Sequence, residues 1–226
     1  MSKTTFKHIK IPEIEELQTR ISAKMTPNGR VYVIDGTDYA FPSITTVLGR
    51  RPKPWLHEWR KRVGNEEANR IANRAATKGT RVHNALEAIV NNEAVDVESL
   101  MPSVKVGVVG IQECLEEHLS EVWASECGLF SKYLGVAGRV DLVGLWDGIP
   151  SIIDFKTSRR HKTINDITSY LLQEAAYSIM FEEITTISIP QLVTVMTVSG
   201  DPNPLIFVEK RKNWQSECVA TIEAYR

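Results

Sequence analysis

Two aspartates and a lysine sit where an apolar strand should have none. Val140-Asp141-Leu142 interrupts a Val- and Leu-rich run from Ala137 to Trp146, and Ile152-Ile153-Asp154-Phe155-Lys156 ends a second apolar run with a carboxylate and an ammonium. Charges embedded in hydrophobic strands are costly unless they are paired or bind a metal. Asp154 and Lys156 are two apart, so a strand projects them from one face. Asp147-Gly148 between the runs is a strong hairpin signal, because both residues tolerate positive φ. Folding there brings Asp141 alongside Asp154 and Lys156. Two carboxylates, helped by a backbone carbonyl such as that of Phe155, suit Mg²⁺ or Mn²⁺, which prefer oxygen ligands and keep some of their waters. Such a cation polarises a phosphate oxygen and acidifies a water, while Lys156 positions that water or offsets developing charge. The chemistry this set of groups fits is phosphodiester hydrolysis.

The elements that must position these groups follow from the flanking sequence. Glu121–Leu129 reads as the first strand of the same sheet, with Val122, Ala124, Glu126 and Gly128 on one side, so that Glu126 is a further candidate carboxylate or else a sheet-edge ion-pair partner. Tyr170–Glu183 reads as a helix behind Thr168 or Ser169, with Gln173 and Tyr177 on one face. Ile187–Val198 and Pro204–Val208 read as further strands and Asn213–Tyr225 as a closing helix. Upstream, Ile11, Ile14, Leu17 and Ile21 have helical spacing, Arg30–Ala40 reads as a hairpin about Asp35-Gly36, and Ser43 caps a short helix to Leu48. Trp55–Val63 and Asn65–Thr77 read as helices. Gly79 is expected to interrupt before a helix from Thr80 to Asn92, on which His83 and Glu87 share a face; Asn91–Ser103 reads as a loop and Val104–His118 as a helix.

Basic residues gather in two places. Arg50, Arg51, Lys53, Arg60, Lys61 and Arg62 interleave with Trp55, His57 and Trp59, a mixture suited to phosphates and unpaired bases, though tryptophans at this spacing can equally pack inward. Thr157, Ser158, Arg159, Arg160, His161 and Lys162 follow Lys156 directly, placing hydroxyls and cations beside the proposed metal.

Taken in order, TKGTRVHNALE, GRVD, IIDFKTS and QEAAY resemble the PD-(D/E)XK nuclease superfamily, and more narrowly its RecB-like branch. PSITTVLG with the Trp- and Arg-rich helix after it is similar to the mitochondrial genome maintenance exonucleases and their phage relatives. The resemblance spans roughly Phe41 to Phe181. It implies an α/β fold of restriction-endonuclease type: a mixed central sheet flanked by helices, with a mostly helical N-terminal lobe (1–103) before a catalytic core (104–226) in a single domain. It implies a metal held by His83, Asp141, Asp154, the Phe155 carbonyl and Glu126, and catalysis by Asp141, Asp154 and Lys156, with Gln173 and Tyr177 orienting Lys156 and the DNA backbone. Arg159, Arg160, Lys162, Thr157, Ser158, Arg81, Trp55 and Arg60 become nucleic-acid contacts, with a strand of DNA threading beneath the helical arch. The implied activity is a Mg²⁺- or Mn²⁺-dependent exonuclease acting on single-stranded DNA or DNA ends in replication, recombination or repair. A structure-specific endonuclease on the same scaffold, or a non-catalytic DNA-binding module beside a single-strand-binding or recombination protein, are the alternatives.

Composition sets outer bounds. Among 226 residues, 42% hydrophobic and 24% charged content is that of an ordinary globular chain, and a net charge of −1 argues against a histone-like binder while leaving room for one basic groove. Cys114, Cys127 and Cys218 are scattered and odd in number, which disfavours a zinc ribbon, a disulfide framework or a four-cysteine iron–sulfur cluster and suits a reducing cytoplasm. MSKTTFKHIKIPEIEE lacks the apolar core of a signal peptide and the Arg- and Ser-rich pattern of a transit leader, and no apolar run approaches the ~20 residues of a membrane span. The expectation is a cytoplasmic protein of bacterial or phage-infected cells.

Overall fold

A computed structural model describes residues 5–226; the first four residues of the polar N-terminal stretch lie outside them. The Asp147-Gly148 turn forms as expected, with φ of 51° and 74°, and closes a hairpin of two long strands. These belong to a five-stranded sheet. Before the sheet come helix α1 (Pro12–Gln18), strands β1 (Ile21–Thr26), β2 (Gly29–Ile34) and β3 (Ala40–Pro42), and helices α2 (Ile44–Gly49), α3 (Pro54–Val63), α4 (Asn65–Val90) and α5 (Pro102–His118). The sheet runs in the order β4 (Leu119–Ser131), β5 (Val136–Trp146), β6 (Ile149–Ser158), β7 (Gln191–Val198), β8 (Leu205–Lys210), with α6 (Thr168–Thr185) between β6 and β7 and α7 (Gln215–Tyr225) at the end. All neighbours are antiparallel except β6 and β7, whose parallel pairing requires the crossover that α6 supplies. The fold is therefore mixed α/β, with a second, three-stranded sheet β1-β2-β3.

Both faces of the large sheet are buried. On one, Leu171, Ala175, Tyr177 and Phe181 of α6 pack over Ile152, Leu192 and Met196, with α1, α2 and α7 alongside; on the other, Val82 and Leu86 of α4 and Val108 and Ile111 of α5 cover Leu142, Ile153, Phe155, Val193 and Val195. Each such Val, Leu, Ile, Met or Phe side chain contributes about 1.5–3 kcal/mol by leaving water. Lining both faces is why β6 and β7 read as continuous apolar runs.

Three local expectations change. Ile21 does not continue α1 but opens β1, because its side chain lies against the bare backbone of Gly128, where a Cβ would come within 2.9 Å of it. β2 pairs with β3 about Asp35-Gly36 as expected (Val31↔Pro42, Val33↔Ala40), and it pairs also with β1 through a tight turn at Pro27-Asn28, so the N-terminal region carries a sheet as well as helices. Gly79 does not break α4, which is one helix of 26 residues. A mid-helix glycine costs only about 1 kcal/mol, less than the buried stripe of Val82, Ala85, Leu86 and Val90 returns. Pro54 starts α3, and Gly64, at φ 84°, makes the corner into α4; no residue of α3 is buried. Among the described residues no helix is long and apolar enough to cross a membrane.

Candidate metal centre and its surroundings

The site forms where the large sheet divides. β5 and β6 pair only from Trp146↔Ile149 to Leu142↔Ile153. Beyond that point β5 stays with β4 and β6 stays with β7 to Ser158↔Val198. Asp141 and Asp154 are the first residues past the division. The Phe155 amide, no longer served by a β5 carbonyl, donates instead to Asp141 Oδ2 at 2.8 Å.

Across the other strand, the pairs Ser125↔Leu142 and Cys127↔Val140 leave Glu126 opposite Asp141. Glu126 has φ 48°, a left-handed conformation that costs a non-glycine residue about 1–3 kcal/mol and concentrates at functional sites. Arg139 braces it, Nε donating to the Glu126 carbonyl at 3.1 Å and standing 3.4 Å from Oε2. From α4, His83 brings Nδ1 to 3.4 Å from Asp141 Oδ2 and 3.8 Å from Glu126 Oε1, its ring edge-on to Phe155 at 6.2 Å. One ligand atom from each of His83, Glu126 and Asp141 lies within 4.8 Å of the others. Glu126 thus stands at the centre, not on an alternating strand face: register shifts in β4 put Val122 in the core under α4 and α5 and Ala124 in the core under α6, so the two do not share a side.

Asp154 and Lys156 point together toward α6. Asp154 is completely buried and its carboxylate meets the Lys156 ammonium; apart from that ion pair, neither oxygen has a hydrogen-bonding partner among the described residues. Burial pushes the Asp154 carboxyl up to about 6, with the Lys156 charge pulling the other way. Burial works to lower the Lys156 pKa, but the Asp154 and Asp141 charges outweigh it and hold the ammonium above the ordinary lysine range. For His83 too, burial lowers while the nearby Glu126 carboxylate and the Asp141 charge raise, and the net is a pKa above its usual 6.5. Lys156 Nζ also sits 5.2 Å over the Tyr170 ring.

The sheet row continues through Asp154↔Thr194, and the Thr194 hydroxyl donates to Glu174 of α6. Glu174 is fully buried, and burial followed by the Asp154 charge lifts its carboxyl well above the ordinary range. Sequence reasoning passed over this residue; the signal was there, a lone acid inside the otherwise uncharged LLQEAAYSIMF. Gln173 Nε2 donates to the Tyr177 hydroxyl at 3.1 Å, so the two expected partners do meet. Burial, with Asp154 and Asp141 next, keeps Tyr177 well above the usual phenol range, hence neutral. Its ring lies on Gly138, where a Cβ would approach to 2.7 Å: the glycine of GRVD makes room for the tyrosine of QEAAY.

The residues expected to touch nucleic acid divide by what already holds them. Arg159 is exposed and, with Arg74, Lys78 and Thr157, lines a groove of about 540 Å³ beside α4. Arg160 lines another, of about 660 Å³, with Trp55, Trp59 and Arg62, and stands 3.4 Å from Asp166. Trp55 is 68% exposed, so it does not pack inward. Lys162 lies over Tyr170 and donates to its hydroxyl at 3.1 Å. Three others are engaged within the fold: the Ser158 hydroxyl donates to the Arg160 carbonyl at 2.6 Å, Arg60 bonds Asn65 and Asn69 and fastens α3 to α4, and Arg81 reaches the Met101 sulfur at 3.0 Å.

A scan against protein-family models matches none, and a search of curated proteins matches none. Among solved structures, one described as "Crystal structure of SSO0001" is similar at 12% identity over 95% of this chain and 83% of that chain, with a TM-score of 0.44.

Proposed function

We propose that this protein is a metal-dependent DNA exonuclease built on the PD-(D/E)XK plan, acting on single-stranded DNA or frayed ends in the cytoplasm. The observation that carries the reading is the divided sheet, which gathers His83, Glu126 and Asp141 within 4.8 Å and sets a buried Asp154–Lys156 pair next to them. The donor set suits a hard or borderline divalent cation, one imidazole and two carboxylates, and the buried Asp154 carboxylate beside it meets only the Lys156 ammonium among the described residues. His83, Glu126 and Asp141 would hold Mg²⁺ or Mn²⁺, with Asp154 and the Phe155 carbonyl as further oxygen donors. Bound there, the cation supplies Lewis acidity toward a phosphate oxygen and lowers the pKa of a water.

The chain's own groups do the remainder. Lys156, protonated and anchored by Asp154, offers a fixed positive charge to the attacking water and the phosphorane-like charge that develops. Gln173, steadied by neutral Tyr177, presents amide hydrogen-bonding capacity from α6 toward the same strand ends. Arg159 and Arg160 flank the site with cations, and exposed Trp55 offers a surface for an unpaired base.

The test is a gel of end-labelled linear single-stranded DNA, its closed circle and a blunt duplex, each with Mg²⁺, Mn²⁺ or EDTA. Metal-dependent loss of the linear strand with the circle intact is expected. Cutting of the circle would make the same centre an endonuclease, and no cutting of any substrate with either metal would refute the nuclease reading.

A further inference from the structure

The hairpin β1–β2 was legible only in part, and the nuclease reading leaves it unused. Its inner face bounds a groove of about 390 Å³ whose other walls are Gly128 and, notably, Glu126 and Arg139 of the metal centre. Arg30, Lys24 and Arg139 bring three cations to this groove against the single carboxylate of Glu126. Lys24 and Arg30 are exposed, and among the described residues their side chains make no ion pair or hydrogen bond. Unpaired cations around a concave wall leave positive potential unspent.

The groove is also stiff. Gln18 clamps its floor from both sides, its amide nitrogen donating to the Gly128 carbonyl at 3.0 Å and its oxygen accepting from the Gly128 amide at 2.7 Å. Gly29, at φ 111°, turns the hairpin close over α2, where a Cβ would come within 2.5 Å of Thr46, so the tip is braced and does not hang free. Tyr32 closes the wall at 5% exposure, and Met25, 75% exposed, stands at the rim.

We propose that this groove is a second strand-binding subsite, taking the phosphate backbone of a single nucleic-acid strand on the Glu126 side of the metal centre. Arg159 and Arg160 serve the Lys156 side, so a strand that lies across the centre meets cations before and after the scissile bond. The inference rests on the nuclease reading and adds the path of the strand to it. An anionic backbone is the occupant that fits: the groove is cationic and reaches Glu126, one of the carboxylates that would hold the cation.

The experiment uses the full chain in EDTA, so that binding is read without cleavage, with a fluorescent single strand of about 20 nucleotides across a salt series. The double variant Lys24→Ala/Arg30→Ala is compared with Lys210→Ala/Lys212→Ala, which removes two cations at the far end of the sheet. Both pairs are exposed, and thermal melts confirm folding. The groove variant is expected to bind about tenfold more weakly and to flatten the dependence of log K on log[salt] by about 1.4, two phosphate contacts at about 0.7 each; the control pair is expected to match wild type. With Mn²⁺, the groove variant is expected to show a raised KM and an unchanged kcat. Should wild type bind and cut while the groove variant keeps its affinity and slope, the subsite is refuted and the nuclease reading stands. Equal losses in both double variants would also refute it, as non-specific charge. If wild type neither binds nor cuts, both readings fall.

Discussion

Titration of Mn²⁺ into the wild-type protein should raise its melting temperature, and the rise should grow with pH. The centre brings one imidazole and two carboxylates together, with Arg139 against Glu126 and the Lys156 charge near Asp141 to offset them. A ligand that binds the folded state alone stabilises by about 2.7 kcal/mol at a hundredfold excess over its dissociation constant. For a chain of 226 residues, where 1 kcal/mol moves the transition by about 2–4 °C, that is a rise of about 5–11 °C.

The pH dependence follows from His83. Burial lowers its pKa, yet the nearby Glu126 carboxylate and the Asp141 charge raise it above 6.5. An imidazole must be neutral to ligate, so each pH unit below that pKa weakens metal binding tenfold, about 1.4 kcal/mol or about 3–6 °C. Without metal the sign reverses. A histidine whose folded pKa is raised stabilises fully below its unfolded pKa, and that contribution is lost as pH rises through the folded value. Asp154 has the same sense at lower pH: burial raises it from 3.8 to about 6, so its contribution, full below about 4, is lost as pH climbs through about 6. Between pH 6 and 8 the metal-free melting temperature should therefore fall while the Mn²⁺ increment rises, measured by differential scanning fluorimetry in EDTA and in millimolar Mn²⁺. Glu126→Gln should shrink the increment. A melting temperature indifferent to Mn²⁺ at pH 8, or an increment as large in Glu126→Gln as in wild type, would refute the assignment of the centre.

Two substitutions probe the neighbouring groups. Lys156→Ala should lower cleavage by about 10²–10³-fold; with its main compensating cation gone, Asp154 should titrate above about 6, so the variant should melt lower than wild type at pH 8 and recover near pH 5. Asp141→Ala strips the acceptor from the Phe155 amide and should cost about 1–3 kcal/mol of stability by denaturant unfolding, whereas Asp141→Asn keeps an acceptor there and should lose activity and the Mn²⁺ increment at little cost in stability.

What the sequence disclosed depended on how regular each element is. The β5–β6 hairpin was plain because Asp147-Gly148 dictates its turn and charges stand out in apolar strands; Asp141, Asp154 and Lys156 followed from that contrast alone. β1 was hidden because ISAKMT is exposed along nearly its whole length and carries no alternation. Glu126 was left at the margin because period-two reasoning assumes an unbroken strand, and β4 has two register shifts before Glu126 and a left-handed residue at it. Gly79 misled because a glycine signals a helix end only when nothing downstream reburies the same face, and Val82 and Leu86 do so. His83 gained its meaning from resemblance; on helical periodicity alone it is one polar residue beside an apolar stripe.

The division of the sheet explains why structure and proposed chemistry share the same atoms. Had β5 and β6 paired to their ends, Asp141 would face Asp154 in an intact ladder and the Phe155 amide would bond a backbone carbonyl. Because they part, that amide needs a new acceptor, and Asp141 supplies it with one oxygen while remaining near His83 and Glu126. The opening also separates two carboxylates that would otherwise repel: Asp141 turns to the imidazole from α4, Asp154 to the ammonium beside α6. Asp141 is thereby compensated from α4, and Asp154 from two residues along its own strand. The cost of burying charge, several kcal/mol per ion if unpaired, favours the placement of α4 that keeps His83 beside Asp141. The hydrogen bond that orients Asp141 is thus the one that satisfies the amide left open where the sheet divides.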